Sequence, residues 1–575
     1  MDLKWKLKDA YKTFTKDQDK TISPEETIAR VKNEFARNNL SVLENTQRID
    51  TGRLDIPVYV SVCGPDARDL TGTAKQMGKG ASPQQAEASA VMELVERFSF
   101  YSFAADPANF MQTTRAEAGS LALPFEAIAK SVHDNSKDLD AAAKVFDSLP
   151  FKWARGANLT RGRDVLVPFD WFFAINEFNG TSAGNCLEEA LCQGICEIIE
   201  RHVSDMVSAR QIRVPGIDPD SADDPMVCRM LDQYKKNGIR IYLSDFTMDM
   251  GIATVGTLAY DPETFPEKSE IVWTAGTAPN PQKALSRALS ETAQLAGDFH
   301  TGSNYVASGL PKPSNPGEMA YITKPEFLRK ITELPDISDS NIRVEVQRCI
   351  SALAKKNLEV IAMETTHPGL GVCALYTVVP GARFRERAAA GSVAMFCARL
   401  ITEKFSPEQA HERLRQMDSL LPDKYYVKFY MGKTLMELGE IQAALKYFSK
   451  ALGLDPHSQD IASIYSYMGQ ARKQSGDYDK ALECARKGLE ADEERTDLLN
   501  LAGFCHFKKK NHKAAIDCFL RIIKLNPASG IDYANLAVNY REMGDTDRAV
   551  DFFKTALSLD PSLDFARQSL KNLTG

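Results

Sequence analysis

The chain has 575 residues, 43% of them apolar and 26% charged. At about 150 residues per domain this excludes a single small module. Seventy basic residues stand against 77 acidic ones, a net charge of −7, so no global field favours nucleic acid or an anionic membrane. No apolar run approaches a bilayer span, and Met1-Asp2-Leu3-Lys4-Trp5-Lys6 never develops the apolar core of a secretory signal. A cytoplasmic protein is expected. Eleven cysteines with no C-x-x-C pair suit reduced thiols better than a disulfide framework. Cys192 and Cys196, one helical turn apart, read as a buried helix face in preference to a redox or metal pair.

Through residue 404 the two periodicities alternate. Helices are expected near 24–38, 82–103, 187–209, 225–236, 281–297 and 342–356. Strands are expected at Ile239–Asp245, Ile252–Tyr260, Val360–Met363 and Val372–Val379. Gly72 to Lys79 is no Walker A loop, because five residues separate its glycines where four are needed and Gly80 replaces the metal-binding hydroxyl. No H-E-x-x-H or G-x-S-x-G motif occurs.

The strongest feature of this region is an internal echo. Gly80 is followed at fixed offsets by Ala86, Glu93, Glu96 and Arg97, and Gly184 at the same offsets by Ala190, Glu197, Glu200 and Arg201. Residues three apart share a helix face, so each helix projects a carboxylate pair with an arginine beside it. Glu189 lies two turns before Glu197. Both helices are otherwise apolar, which draws the glutamates toward a core. Two carboxylates about 5 Å apart repel by roughly 3 kcal/mol at an effective dielectric of about 20, so the cluster calls for cations. All-oxygen ligands select a hard ion such as magnesium, which keeps places for water and phosphate. Asn179-Gly180-Thr181-Ser182-Ala183-Gly184 is a small-residue turn whose amides suit an anion. Lys79, Arg97, Arg201 and Arg287 offer positive charge. The reading is a nucleotide–metal site.

Ser406-Pro407-Glu408 opens a helix and Pro422 ends it. Beyond it comes a repeat. Gly439-Glu440-Ile441-Gln442-Ala443-Ala444-Leu445 aligns with Gly476 to Leu482 and with Gly544 to Val550, and a weaker copy runs Lys510 to Ile516. The marker alanines Ala444, Ala481, Ala515 and Ala549 are spaced 37, 34 and 34 residues apart. Pro456, Pro527 and Pro561 follow three of them by twelve residues, with Glu493 in the remaining copy. Gly432, Gly469, Gly503 and Ala537 keep the period at positions where paired helices approach. The pattern resembles the tetratricopeptide repeat, whose concave face holds a peptide or protein. The expected division is a domain over 1–404, a helical linker over 405–423 and repeats over 424–575.

These segments resemble the YcaO family, and within it the bacterial members that carry a C-terminal tetratricopeptide-like region. The matching stretches are Gly78-Lys79-Gly80-Ala81 through Arg97, Asn179-Gly180 through Arg201, the helix bearing Arg287, Glu291 and Gln294, and Val379-Pro380-Gly381. The resemblance implies an α+β YcaO-type ATP-binding domain followed by an all-α repeat superhelix. It implies an enzyme that phosphorylates a peptide backbone amide with ATP and Mg2+ while a nucleophile attacks the carbonyl carbon, yielding azolines, thioamides or amidines. Carried over position by position, Glu93, Glu96, Glu197 and Glu200 are the metal ligands, and Glu189, Arg201 and Arg287 are catalytic. Lys20, Thr27, Lys79, Ser89, Arg97, Asn179, Gly180, Arg201 and Gln294 lie near the nucleotide. The terminal Lys571-Asn572-Leu573-Thr574-Gly575 departs from the proline-rich tail of azoline-forming cyclodehydratases, so thioamidation is the expected subclass. No cysteine pattern marks a sulfur donor within the chain. The resemblance also gives leads to ribosomal-protein β-methylthiolation with a radical-SAM partner, to a sulfur-donor protein bound through the repeats, and to a homodimer. The competing reading is an ATP-regulated repeat scaffold without amide chemistry.

Overall fold

The computed structural model describes residues 5–14, 20–302, 305, 309–384 and 391–575. Met1–Lys4 of the N-terminal stretch read above lie outside the described residues. Contacts divide the chain into two compact units. One takes in residues 1–139 and 147–393, the other residues 140–146 and 394–575. This division falls earlier than residue 405. Among the described residues no helix is long and apolar enough to cross a membrane.

The N-terminal unit is α+β, with fourteen strands in three sheets: β1 (Leu43–Arg48), β2 (Val58–Cys63), β3 (Lys75–Lys79), β4 (Phe110–Thr113), β5 (Phe151–Asn158), β6 (Arg163–Pro168), β7 (Thr181–Gly184), β8 (Gly216–Ile217), β9 (Arg240–Asp245), β10 (Thr254–Tyr260), β11 (Val272–Thr277), β12 (Leu328–Arg329), β13 (Ile361–Glu364) and β14 (Cys373–Val378). The first three form an antiparallel meander with Val58 opposite Lys79. A second sheet runs β4-β5-β13-β14-β7, with β6 also paired to β5 and Cys373 opposite Gly184. The third runs β11-β10-β9-β8-β12.

Strands β3 and β7 do the same job in different sheets: each ends in a glycine and feeds a long helix. These helices, Pro83–Ala105 and Leu187–Ala209, carry the echoed glutamates. The glycines are required by close approach. A Cβ added to Gly80 would lie 2.7 Å from the Ala86 amide nitrogen, and one added to Gly184 would lie 2.4 Å from that of Ala190. The six-residue offset seen in the sequence is thus the tight return of a strand end onto the first turn of its helix. Ser82 caps the first helix with Pro83 at its opening position.

Each helix is held by its apolar stripe. Val91, Leu94, Val95 and Phe98 enter one core with Val31 and Phe35, and Leu191, Ile195, Ile198, Ile199 and Val203 enter another with Trp273, Leu375 and Ile342. The helix Pro281–Ala296 buries Leu285, Leu289 and Ala293 in a third. Burying a leucine- or valine-sized side chain stabilises by about 1.5–3 kcal/mol, so three such anchors leave the remaining face of each helix little freedom to turn.

The C-terminal unit is a run of antiparallel helix pairs: Tyr425–Glu437 with Ile441–Leu452, Ser458–Gln474 with Tyr478–Ala491, Thr496–Lys508 with His512–Leu525, and Gly530–Glu542 with Thr546–Leu559. Asp564–Thr574 covers the end. Ala444, Ala481, Ala515 and Ala549 are all fully buried, one at the same place in the second helix of each pair. The period in the sequence is therefore the period of helix contact. Ala481→Leu is expected to overpack this contact and destabilise the C-terminal unit by about 1–3 kcal/mol, read as a lower denaturation midpoint for that unit's transition.

Candidate functional site

The echoed helices place Glu93, Glu96, Arg97, Glu197, Glu200 and Arg201 on the wall of one cavity of about 560 Å3. That volume lies within the range of cofactor-sized sites. Lys20, Thr27, Lys79, Ser89, Glu189, Arg287 and Gln294 line the same cavity. Two of the nucleotide positions carried over above do not. Asn179 turns its side-chain amide to the Asn176 carbonyl at 2.8 Å, and Gly180 is buried behind Glu197, to which its N–H is directed at 3.4 Å. Both form the turn that shapes the wall without being part of it.

Each arginine is paired with the glutamates of its own helix. Arg97 donates to Glu93 Oε1 through Nη2 at 2.8 Å and Nε at 3.1 Å, while its Nη1 stands 3.7 Å from Glu96. Its guanidinium also lies 4.4 Å from the centre of the Phe178 ring. Arg201 is looser, 3.9 Å from Glu197 and 3.8 Å from Glu200. The pairing is incomplete. Burial pushes Glu96 well above the ordinary carboxylate range, with the Glu93 charge adding to it, even though Thr181 donates a hydrogen bond. Burial likewise raises Glu197.

The opposite wall is cationic. Lys79, at the end of β3, pairs with Glu291, and burial together with the nearby Arg287 lowers its ammonium to about 7. Arg287 Nη1 donates to Gln193 Oε1 at 2.6 Å. Glu189 has a different task from its sequence neighbours. Its Oε1 accepts from the Thr21 amide and hydroxyl, both at 2.6 Å, and its Oε2 accepts from the Asn185 amide and side chain at 3.0 and 3.1 Å. Burial alone would raise this carboxyl, but Lys20 and these donors hold it below its usual value. Four donors on two oxygens make Glu189 a clamp for the N-terminal segment rather than a free base. Thr27 lies behind that clamp, its hydroxyl 2.9 Å from the Ser23 carbonyl and 3.2 Å from Asn185 Oδ1.

Three partners were not singled out in the sequence: Thr21, Thr181 and Gln193. Gln193 had a legible signal, since it stands one turn before Glu197 on the carboxylate face. Thr21 had none, because its partner Glu189 is 168 residues away.

The donor set suits a polyphosphate with a hard cation. Arg97 Nη1 and Arg287 Nε are buried without a hydrogen-bond partner among the described residues, which leaves directed donors for anionic oxygens. The raised glutamates need a cation that the arginines only partly supply. Among the described residues no three Asp, Glu, His or Cys side chains converge closely enough to hold an ion alone. Magnesium does not require that. It is ordinarily held by one or two carboxylates together with phosphate oxygens and water.

Comparison with known proteins follows this geometry. Residues 77–383 match the family described as "YcaO cyclodehydratase, ATP-ad Mg2+-binding", and residues 426–494, 468–530 and 533–563 match tetratricopeptide repeats. An uncharacterized protein of Methanothermobacter thermautotrophicus is 26% identical over 63% of this chain and 94% of its own length. The ribosomal protein S12 methylthiotransferase accessory factor YcaO of Escherichia coli is 27% identical over 25% of this chain and 24% of its own. Among solved structures, a heterocyclase in complex with substrate and cofactor has a TM-score of 0.54 at 22% identity, covering 69% of this chain and 56% of that one. YcaO from Methanopyrus kandleri bound with AMPPCP and Mg2+ has a TM-score of 0.51 at 20% identity, covering 65% and 95%. The N-terminal unit thus has the fold of ATP- and Mg2+-binding, peptide-modifying proteins, with tetratricopeptide repeats after it, and the chain belongs to the YcaO family.

Proposed function

We propose that this chain phosphorylates the oxygen of a peptide backbone amide and directs a sulfur nucleophile to the carbonyl carbon, giving a thioamide. The observation that carries this is the convergence of two desolvated glutamate pairs with arginine donors, two of them unpartnered, on one nucleotide-sized cavity. When bound, ATP with Mg2+ supplies the phosphoryl group and the charge neutralisation that its transfer needs. Glu93, Glu96, Glu197 and Glu200 provide the oxygens that would hold the metal. Arg97, Arg201 and Arg287 provide donors for phosphate, and Arg201 and Arg287 are placed to steady charge on the transferring group. Lys20, Thr27, Lys79, Ser89 and Gln294 complete the nucleotide wall, and Glu189 fixes Lys20 and its segment against it.

Hydrosulfide is favoured over a side-chain nucleophile by a second chamber of about 80 Å3 that shares Lys20, Glu189, Gln193 and Arg287 with the cavity. A chamber of that size walled by ammonium and guanidinium groups suits a small anion. The repeats would bring the protein substrate, a sulfur-donor protein or a radical-SAM partner. Assistance to ribosomal-protein β-methylthiolation rests on the Escherichia coli relative, whose alignment covers a quarter of this chain. A homodimer and a cytoplasmic location complete the proposal. A pure scaffold would gain nothing from carboxylates held in so unfavourable a place.

Calorimetric titration with ATP tests the site. Binding is expected to require magnesium, and Glu197→Gln is expected to weaken it about tenfold or more, about 1.4 kcal/mol per decade. Magnesium-independent binding of equal strength in the variant would overturn the assignment.

The raised carboxylates have a pH consequence. Between their ordinary value of 4.5 and their raised folded values, Glu96 and Glu197 bind more protons in the native state than in the unfolded one. Stability then falls as pH rises through that window. The ligand-free melting temperature is expected to show this fall, and Glu197→Gln and saturating magnesium–ATP are each expected to reduce it.

Every residue lining the nucleotide cavity belongs to the N-terminal unit. Deleting residues 424–575 is therefore expected to leave ATP affinity unchanged while abolishing capture of the protein partner. Loss of ATP affinity in the truncated chain would show that the repeats build the site.

A further inference from the structure

The small chamber has thiols in its wall. Cys192 and Cys196 line it beside Lys12, Lys20, Arg287 and Glu345. A third thiol comes from a distant part of the chain. Cys349, fully buried on the helix Ile342–Lys355, shares hydrogen bonds with both cysteines of the helix Leu187–Ala209, against which its own helix packs. Cys192 is the half-buried member, on the side of the chamber that leads to the nucleotide cavity through Gln193 and Arg287. Hydrogen bonds from Cys196 and then Cys349 hold its thiol well below the ordinary range, and the charges of Lys20 and Lys12 act in the same direction. The thiolate is the nucleophilic form.

We propose that Cys192 carries a sulfane sulfur as a persulfide in this chamber and that Cys349 releases it as hydrosulfide beside the nucleotide cavity. The proposal rests on the amide-thiolation reading above and names its sulfur source. Loading is a transfer from a persulfide donor of the sulfurtransferase class: R–S–SH and the Cys192 thiol give R–SH and Cys192–S–SH. In release, Cys349 Sγ attacks Cys192 Sγ. The new bond is the Cys192–Cys349 disulfide, and the terminal sulfur leaves with the bonding pair and the Cys349 proton as HS−. The sulfane sulfur is reduced and the two thiols are oxidised, and a dithiol reductant restores them. Cys349 is the resolving thiol rather than Cys196. Positions four apart on one helix hold their Cβ atoms about 5–6 Å apart, wider than the about 3.5–4.5 Å of a disulfide, whereas Cys349 approaches from a facing helix.

The full chain, freed of reductant, is incubated with glutathione persulfide. Mass spectrometry of the wild type is expected to find a one-sulfur adduct on Cys192 that gives way to a Cys192–Cys349 disulfide, with hydrosulfide released in step. Cys349→Ser is expected to keep the adduct and lose the release, and Cys192→Ser to lose both. Circular dichroism and ATP titration report whether each variant is folded. Should a variant not fold, the site of the adduct in wild type decides, and an adduct confined to other cysteines overturns the proposal. Release that persists in folded Cys192→Ser also overturns it. In a peptide assay, persulfide-driven thioamide formation is expected to be lost in Cys192→Ser and rescued by free sulfide. Persulfide-driven product that survives in that variant overturns the carrier while leaving the thioamide reading intact. If wild type forms no thioamide from either source, the thioamide reading fails, and the adduct and release measurements still judge the carrier.

Discussion

Like charge held out of water is the constraint on which the site depends. Glu96 and Glu200 are almost fully buried, Glu93 and Glu197 are partly so, and their charges act on one another across the two helices. Such an arrangement survives only where something fixes the helices against the repulsion. The apolar stripes of Pro83–Ala105 and Leu187–Ala209 do this by entering separate cores, so neither helix can rotate its glutamates into solvent without exposing leucines, isoleucines and a phenylalanine. The hydrophobic term sustains the electrostatic one. A structure that holds carboxylates in this state is poised for a cation, and the partnerless arginine atoms beside them are poised for the anion that accompanies it.

The two halves of the site are built alike and used differently. On the first helix Arg97 is drawn tightly onto Glu93 and the Phe178 ring, while on the second Arg201 stands almost 4 Å from both of its glutamates. A tight pair resists rearrangement and a loose one permits it. Arg201 can therefore turn toward an incoming phosphate at small cost, whereas Arg97 keeps one edge on its glutamate and offers only Nη1. Glu189 shows the same economy of structure. Positioned where a base could stand, it spends its oxygens on Thr21 and Asn185 and ties the N-terminal segment, with Lys20 and Thr27, to the wall.

Much of this was legible in the sequence because it is local. The helices Pro24–Arg37, Pro225–Lys236, Pro281–Ala296 and Ile342–Lys355 and the strands β9, β10, β13 and β14 fall within a few residues of where periodicity placed them. Period-2 and period-3.6 patterns are fixed by neighbours along the chain. The E-x-x-E-R echo declared the carboxylate face for the same reason, and the repeat alanines declared the helix pairs. The meander β1–β3 was not read. Its first strand is polar and largely exposed, and its third carries two lysines and a glutamine, so neither shows clear alternation. Asn179 and Gly180 were assigned to the nucleotide by their place in the turn. Whether a turn faces a cavity or backs it depends on the sheet behind it, here the pairing of β7 with β14, which no local pattern reports.

The cysteines show the limit most plainly. Cys192 and Cys196 were visible as a pair on one helix and, taken alone, read as packing. That reading holds for Cys196, which is buried, but Cys349 changes the meaning of the pair, and it stands 157 residues beyond Cys192 on another helix. Chemistry that needs two groups on facing elements is encoded in tertiary contact, and sequence spacing carries no trace of it. The same holds for the cations. Lys12 reaches Glu345, 333 residues away, at 2.5 Å and so joins the N-terminal segment to the helix that carries Cys349. The N-terminal segment is thus tied at two points, by Glu189 through Thr21 and by Glu345 through Lys12, and the chamber between nucleotide and thiols exists because both ties hold. Loosening either one opens the chamber to water, which would screen the charges that favour a thiolate and compete with hydrosulfide for the activated carbonyl carbon.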